Sequence, residues 1–90
     1  MKRVHIYVSG RVQGVGFRAF VQHTAQTMNL TGWVKNMYDG RVEVLTEGSE
    51  DDINAFIDKL KEGPIGARVD NVDVNWEKYQ GGQDNFRIAW

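Results

Sequence analysis

Three glycines fall within the stretch GRVQGVGFR, residues 10–18, and the last of them is followed directly by Phe17 and Arg18. Glycine lets successive backbone N–H groups turn toward one centre and form a concave nest. If a helix begins at Phe17, its first N–H groups lack intrahelical partners and its dipole favours negative charge there. A guanidinium in that first turn can fork onto two oxygens of one anion. Such a loop is a cradle for a phosphoryl-type oxyanion. The other possibility is a flexible turn ending in an exposed arginine, and the loop residues by themselves leave both open.

Spacing narrows the kind of cradle. No Gly-Lys-Ser/Thr follows, so the magnesium-binding hydroxyl of a Walker A loop is missing. Gly14 and Gly16 match the first two glycines of a dinucleotide fingerprint, but residue 19 is alanine and no acidic residue lies near position 34. The spacing Val12, five residues, Arg18 is that of the cysteine phosphatase loop with valine in place of the nucleophile. A phosphoryl group held here forms no covalent enzyme intermediate, and water has to attack it directly.

The cradle must be positioned by a small set of elements. Val4, Ile6 and Val8 alternate with Arg3, His5, Tyr7 and Ser9, a strand with one apolar face. After the loop, Phe17, Phe20, Val21, Thr24, Ala25 and Met28 fall at helical spacing, with a stop near Asn29. Two strand-like runs flank Asp39-Gly40, a dipeptide that favours a tight hairpin turn. In the second run Val42, Val44 and Thr46 share a face opposite Arg41, Glu43, Leu45 and Glu47. Ser49 is the expected N-cap of a second helix with Glu50, Asp51 and Asp52 in its first turn, Ile53, Phe56, Ile57 and Leu60 as its apolar stripe, and Gly63-Pro64 as its stop. Val72, Val74 and Trp76 alternate in a further strand, and Phe86, Ile88 and Trp90 in a last one. The order strand, helix, strand, strand, helix, strand, with one additional strand, predicts an α+β fold of ferredoxin-like split β-α-β type, two helices on one face of a mainly antiparallel sheet. Many unrelated activities use that fold, so function has to come from the site.

Bulk properties set limits. Ninety residues with 41% hydrophobic content and ten aromatics make one small domain, 1–90, able to form a core. Cysteine is absent, which removes thiolate metal sites, disulfides and cysteine nucleophiles and fits a reducing, cytoplasmic setting. No run approaches a membrane span or a signal peptide. The formal net charge of −1 gives no general attraction to nucleic acid or anionic membrane, so any anion has to be gripped locally.

At this point the residues resemble a known family. Gly10, Val12, Gln13, Gly14, Val15, Phe17 and Arg18 match the first acylphosphatase signature, and Gly32-Trp33-Val34-Lys35-Asn36, Gly40, Val42 and Gly48 match the second. The resemblance spans nearly the whole chain. It implies hydrolysis of the carboxyl–phosphate bond of acyl phosphates, without a metal or other cofactor. It implies that Arg18 and the backbone amides of Gln13, Gly14, Val15, Gly16, Phe17 and Arg18 hold the phosphoryl oxygens, with inorganic phosphate or sulfate able to occupy the same loop, and that Asn36 orients the attacking water. Without the resemblance, Asn36 is an ordinary polar strand residue.

The remaining chemistry-capable residues read more plainly. His5 and His23 have no carboxylate at ligand spacing, and Lys35 is expected to be solvated. Trp33, Trp76 and Trp90 are expected to pack on the sheet. A binding module is the rival. Tyr7, Trp33, Tyr38 and Trp76 could stack RNA bases on an open sheet face, although the RNA-recognition consensus is missing. An acylphosphatase-like domain that only binds phosphate or a carbamoyl group is nearer. Both signature residues are intact and the sequence closes with the domain, which favours a free-standing monomeric enzyme.

Overall fold

Alternation and helical periodicity both emerge as expected. The computed structural model describes residues 1–89, which form β1 (Lys2–Arg11), α1 (Phe17–Thr27), β2 (Thr31–Asn36), β3 (Val42–Gly48), α2 (Glu50–Glu62), β4 (Arg68–Glu77) and β5 (Phe86–Ile88). Trp90, assigned by pattern to the terminal alternation, lies outside the described residues. The strands form one sheet in the order β4-β1-β3-β2-β5, antiparallel except for β5, which runs parallel to β2. Two helices pack on this sheet in the ferredoxin-like arrangement.

Register explains which side chains are buried. Val4, Ile6 and Val8 stand opposite Thr46, Val44 and Val42 on β3 and opposite Trp76, Val74 and Val72 on β4. Directly opposed residues share a sheet face, so this face meets the helices. Val4, Ile6, Val8, Val42 and Val44 are fully buried there against Phe17, Val21, Ile53, Phe56 and Leu60. Each such side chain contributes on the order of 1.5–3 kcal/mol relative to exposure.

The helix ends follow local chemistry. Ser49 Oγ accepts the Asp52 N–H at 3.1 Å, the predicted N-cap. Asn29, just past α1, has a φ of 57°, as the stop signal required. The Asp39-Gly40 turn is longer than a two-residue hairpin, because β2 ends at Asn36 and β3 begins at Val42. Asp39 Oδ1 accepts the Arg41 N–H at 3.1 Å, and Met37 N–H donates to Arg41 O at 2.8 Å, which closes the wider loop.

Two aromatic expectations change. Trp76 shares the helix-side face with Val4 yet is 46% exposed, beside Glu50 and Asn54 at the start of α2. β4 is an edge strand, and its end is covered on one flank only. Tyr38 sits in the β2–β3 connection with its ring fully in solvent. Of the four aromatics considered for RNA stacking, Tyr7 and Trp33 lie on the open face and Trp76 on the other. They form no common platform.

Candidate active site

The glycine-rich loop joins β1 to α1, and its two ends are anchored by Val12 and Phe17, each 1% exposed. Between these anchors Gly14 and Gly16 adopt left-handed φ values of 75° and 77°. A residue with a Cβ resists that conformation, and here it turns the loop over the start of α1. Gly16 is the N-cap, no side chain caps the helix, and its first turn contains no acidic residue. The early N–H groups of α1 are therefore aimed out of the helix end beside Arg18, which is half-buried.

A cavity of about 250 Å³ opens at this point, lined by Val12, Gly14, Gly16, Phe17, Arg18, Ala19 and Ile88. The predicted cradle residues Gly14, Gly16, Phe17 and Arg18 meet there. Gln13 and Val15 lie in the same loop outside the lining. Ile88 comes from β5 and belongs to neither signature; its contribution is set by a strand pairing remote in sequence, for which the sequence carries no local signal.

Gln13 does something the loop motif alone did not suggest. Its Nε2 donates to Met37 O at 2.8 Å and to Arg41 O at 2.9 Å, tying the loop to both sides of the β2–β3 connection. Asn36 is the residue before Met37. β1 and β2 are both antiparallel to β3 and so run in the same direction, which puts the end of β2 and the loop after β1 at one end of the sheet. Asn36 stands opposite Val42, and Val42 opposite Val8, so its side chain is on the helix side. Asn36 Oδ1 is buried and has no hydrogen-bond partner among the described residues. Asn36 does not line the 250 Å³ cavity. It borders a second one of about 400 Å³ with Lys35, Met37, Tyr38 and Glu43, while Ile88 of the first cavity pairs with Val34, two residues before Asn36 on β2.

The open face of the sheet carries charge pairs that sequence spacing hides, since the partners sit on neighbouring strands. His5 Nε2 lies 2.6 Å from Glu43 Oε2 and Nδ1 lies 3.4 Å from Glu77 Oε2, so His5 does face carboxylates. Lys35, expected to be solvated, pairs with Glu43 at 3.6 Å and lies over the Trp33 ring. Glu43 is thus matched by Lys35 from β2, and Glu47 and Glu77 by Arg3 from β1. No group of three or more His, Cys, Asp or Glu able to hold a metal ion occurs among the described residues. At the hairpin, the Arg41 N–H and guanidinium hold the Asp39 carboxyl below its usual range.

The acylphosphatase family model matches residues 4–88. An acylphosphatase from Syntrophus aciditrophicus (strain SB) is 48% identical over 90 residues, which cover all of this chain and 94% of that protein. The crystal structure of acylphosphatase from Bacillus subtilis superimposes with a TM-score of 0.97 at 43% identity, with full coverage of both chains. The structure of T. kodakarensis HypF matches all of this chain with a TM-score of 0.86 and 43% identity, over 12% of its own length. With the family model spanning both signatures and full-length relatives of this similarity, the chain belongs to the acylphosphatase family.

Proposed function

We propose that this acylphosphatase-family hydrolase cleaves the carboxyl–phosphate bond by direct attack of water, with Arg18 and the amides of residues 13–18 holding the phosphoryl oxygens and Asn36 placing the water. The observation that carries the assignment of Asn36 is its buried Oδ1 without a protein partner, on a strand end tied to the loop through Gln13. A buried carbonyl oxygen left unpaired destabilises a fold by about 1–3 kcal/mol, and accepting a hydrogen bond from a water at the site gives that oxygen a use.

The chemistry needs little more. The leaving group of an acyl phosphate is a carboxylate, whose conjugate acid has a pKa of about 4, so it departs without a proton. Phosphoryl transfer passes through a loose transition state with charge spread over the equatorial oxygens and weak bonding to the nucleophile. Catalysis then reduces to donors around those oxygens and one water held in line. Arg18 and the outward N–H groups at the start of α1 supply the donors. A carboxamide accepts from the water and orients it, and it need not deprotonate it.

Hydrolysis of benzoyl phosphate in excess EDTA, by the wild type and by folded Arg18→Ala and Asn36→Ala variants, tests the reading. Turnover by the wild type with both variants near the spontaneous rate is the expected result. Wild-type turnover at the spontaneous rate, with inorganic phosphate still bound, would replace the hydrolase by a phosphate-binding module.

A further inference from the structure

We infer that Glu47 is a positioning residue for this site, acting from the far end of the sheet by seating the β4–β5 crossover and so holding Ile88 against the cradle. The inference rests on the hydrolytic reading above for its kinetic consequence, but not for its structural one.

The topology creates the need. β4 and β5 lie on opposite edges of the sheet, so the segment between Glu77 and Phe86 has to cross from one edge to the other. That segment contains no helix or strand. β5 itself is three residues long and pairs with one neighbour, β2. A strand that short makes few ladder bonds. Phe86 in the core and the Gln22 and Gln26 side chains on Phe86 O hold its first residue, and the crossover is the remaining element that sets how the strand is delivered.

Glu47 is the fastening. It stands near the end of β3, the middle strand, paired with Arg3 and Thr31 on its two sides. It is 2% exposed, although a glutamate is seldom buried so fully without partners. One oxygen, Oε2, accepts the backbone N–H groups of Gln80 at 2.9 Å and Gly81 at 3.2 Å, with Arg3 Nη1 at 3.4 Å. Arg3 is in turn held by Glu77 Oε1 at 3.0 Å, at the point where β4 gives way to the crossover. Two successive amides converging on one carboxylate oxygen form a nest around it. Charge-assisted bonds of this kind are stronger than neutral ones. Midway across the sheet the chain is thus pinned, and Gly32 N–H to Asn85 O at 2.9 Å then guides it into β5. Ile88, two residues beyond buried Phe86, forms the β5 wall of the cradle cavity.

The test uses Glu47→Gln, which keeps an acceptor oxygen and the side-chain shape but not the charge, and Glu47→Leu, which keeps neither the acceptor nor the charge. Amide hydrogen exchange is followed residue by residue, with inorganic phosphate binding and benzoyl phosphate kinetics alongside. The expected result is a graded loss from Glu to Gln to Leu of protection at Gln80 and Gly81 and also at residues 86–89, with β1 and α1 still protected. Phosphate Kd and KM should rise together by about three- to tenfold in Glu47→Gln, with kcat changed less. Should Glu47→Leu fail to fold, the Gln variant decides. Loss of protection confined to Gln80 and Gly81, with residues 86–89 and phosphate affinity unmoved, would overturn the inference. If the wild type neither binds phosphate nor turns over substrate, the hydrolytic reading falls, and exchange at residues 86–89 still judges the role of Glu47.

Discussion

Gln13 and Met37 are joined by a 2.8 Å hydrogen bond from the glutamine Nε2 to the backbone carbonyl, 24 residues apart in sequence. The bond joins the loop that carries Arg18 to the residue after Asn36. A second bond from the same nitrogen, to Arg41 O at 2.9 Å, fixes the other side of the β2–β3 connection. The two halves of the proposed machinery come from separate strands, and this side chain sets their spacing. Gln13→Ala should therefore lower kcat for benzoyl phosphate by roughly 10- to 100-fold through misplacement. Its effect on stability should be only about 1 kcal/mol, since Met37 O also accepts the Gly40 N–H and Arg41 O the Met37 N–H. Kinetics and a urea titration on one preparation compare the two. A drop in activity no larger than the drop in folded fraction would deny Gln13 this positioning role.

Asn36→Ala should also separate activity from stability. The Oδ1 that the substitution deletes has no partner within the protein among the described residues, so its removal breaks no protein hydrogen bond and loses only some packing. The stability of the variant should lie within about 1 kcal/mol of the wild type, while turnover falls by about a hundredfold or more if Asn36 places the water. A clear fall in the urea midpoint would mean that the asparagine serves the fold instead.

Much of this was legible in the chain. Period-two runs located β1, β3 and β4, and the stripes Phe17–Met28 and Ile53–Leu60 located the helices, because burial on one face leaves a mark in local sequence. Ser49 and Asn29 marked helix boundaries through chemistry confined to a few residues. What could not be read was anything made by strands lying side by side. Glu43 and Glu77 reach His5 from β3 and β4, and the backbone donors to Glu47 come from a crossover 33 and 34 residues on. The widened Met37–Arg41 connection has the same origin, since its carbonyls answer a glutamine from another loop. Local pattern specified the elements, and pairing specified their electrostatics.

Substrate choice should follow the leaving group. None of the residues lining the 250 Å³ cavity is a general acid at neutral pH: they are Val12, Gly14, Gly16, Phe17, Ala19, Ile88 and an arginine, which does not give up its proton. Without proton donation, kcat/KM should fall steeply as the leaving group becomes more basic. Benzoyl and acetyl phosphate should be turned over, p-nitrophenyl phosphate should be much slower, and alkyl phosphates should be inert, with phosphate release as the readout. Comparable rates across that series would require a proton donor and would contradict the proposed mechanism.

The acid limb of the stability curve should report Glu47. Burial pushes its carboxyl upward, but the N–H groups of Gln80 and Gly81 and the Arg3 guanidinium together outweigh it, and the balance lies below the ordinary value of 4.5. A group whose pKa is lower folded than unfolded stabilises the native state fully above its unfolded value and loses that contribution as pH falls through its folded value. Glu47 should therefore stabilise the protein at neutral pH and progressively cease to do so below 4.5. Asp39 and Asp70 are shifted the same way but lie in solvent, where ion pairs are screened and weak. In urea titrations from pH 7 to pH 3, the stability difference between wild type and Glu47→Gln should be largest at neutral pH and should shrink toward the acid end, with a shallower acid limb for the variant. Parallel curves would mean that the charge on Glu47 adds nothing to the fold. Such a result, together with wild-type exchange at residues 86–89 in the Gln variant, would count against the seating of β5 by Glu47.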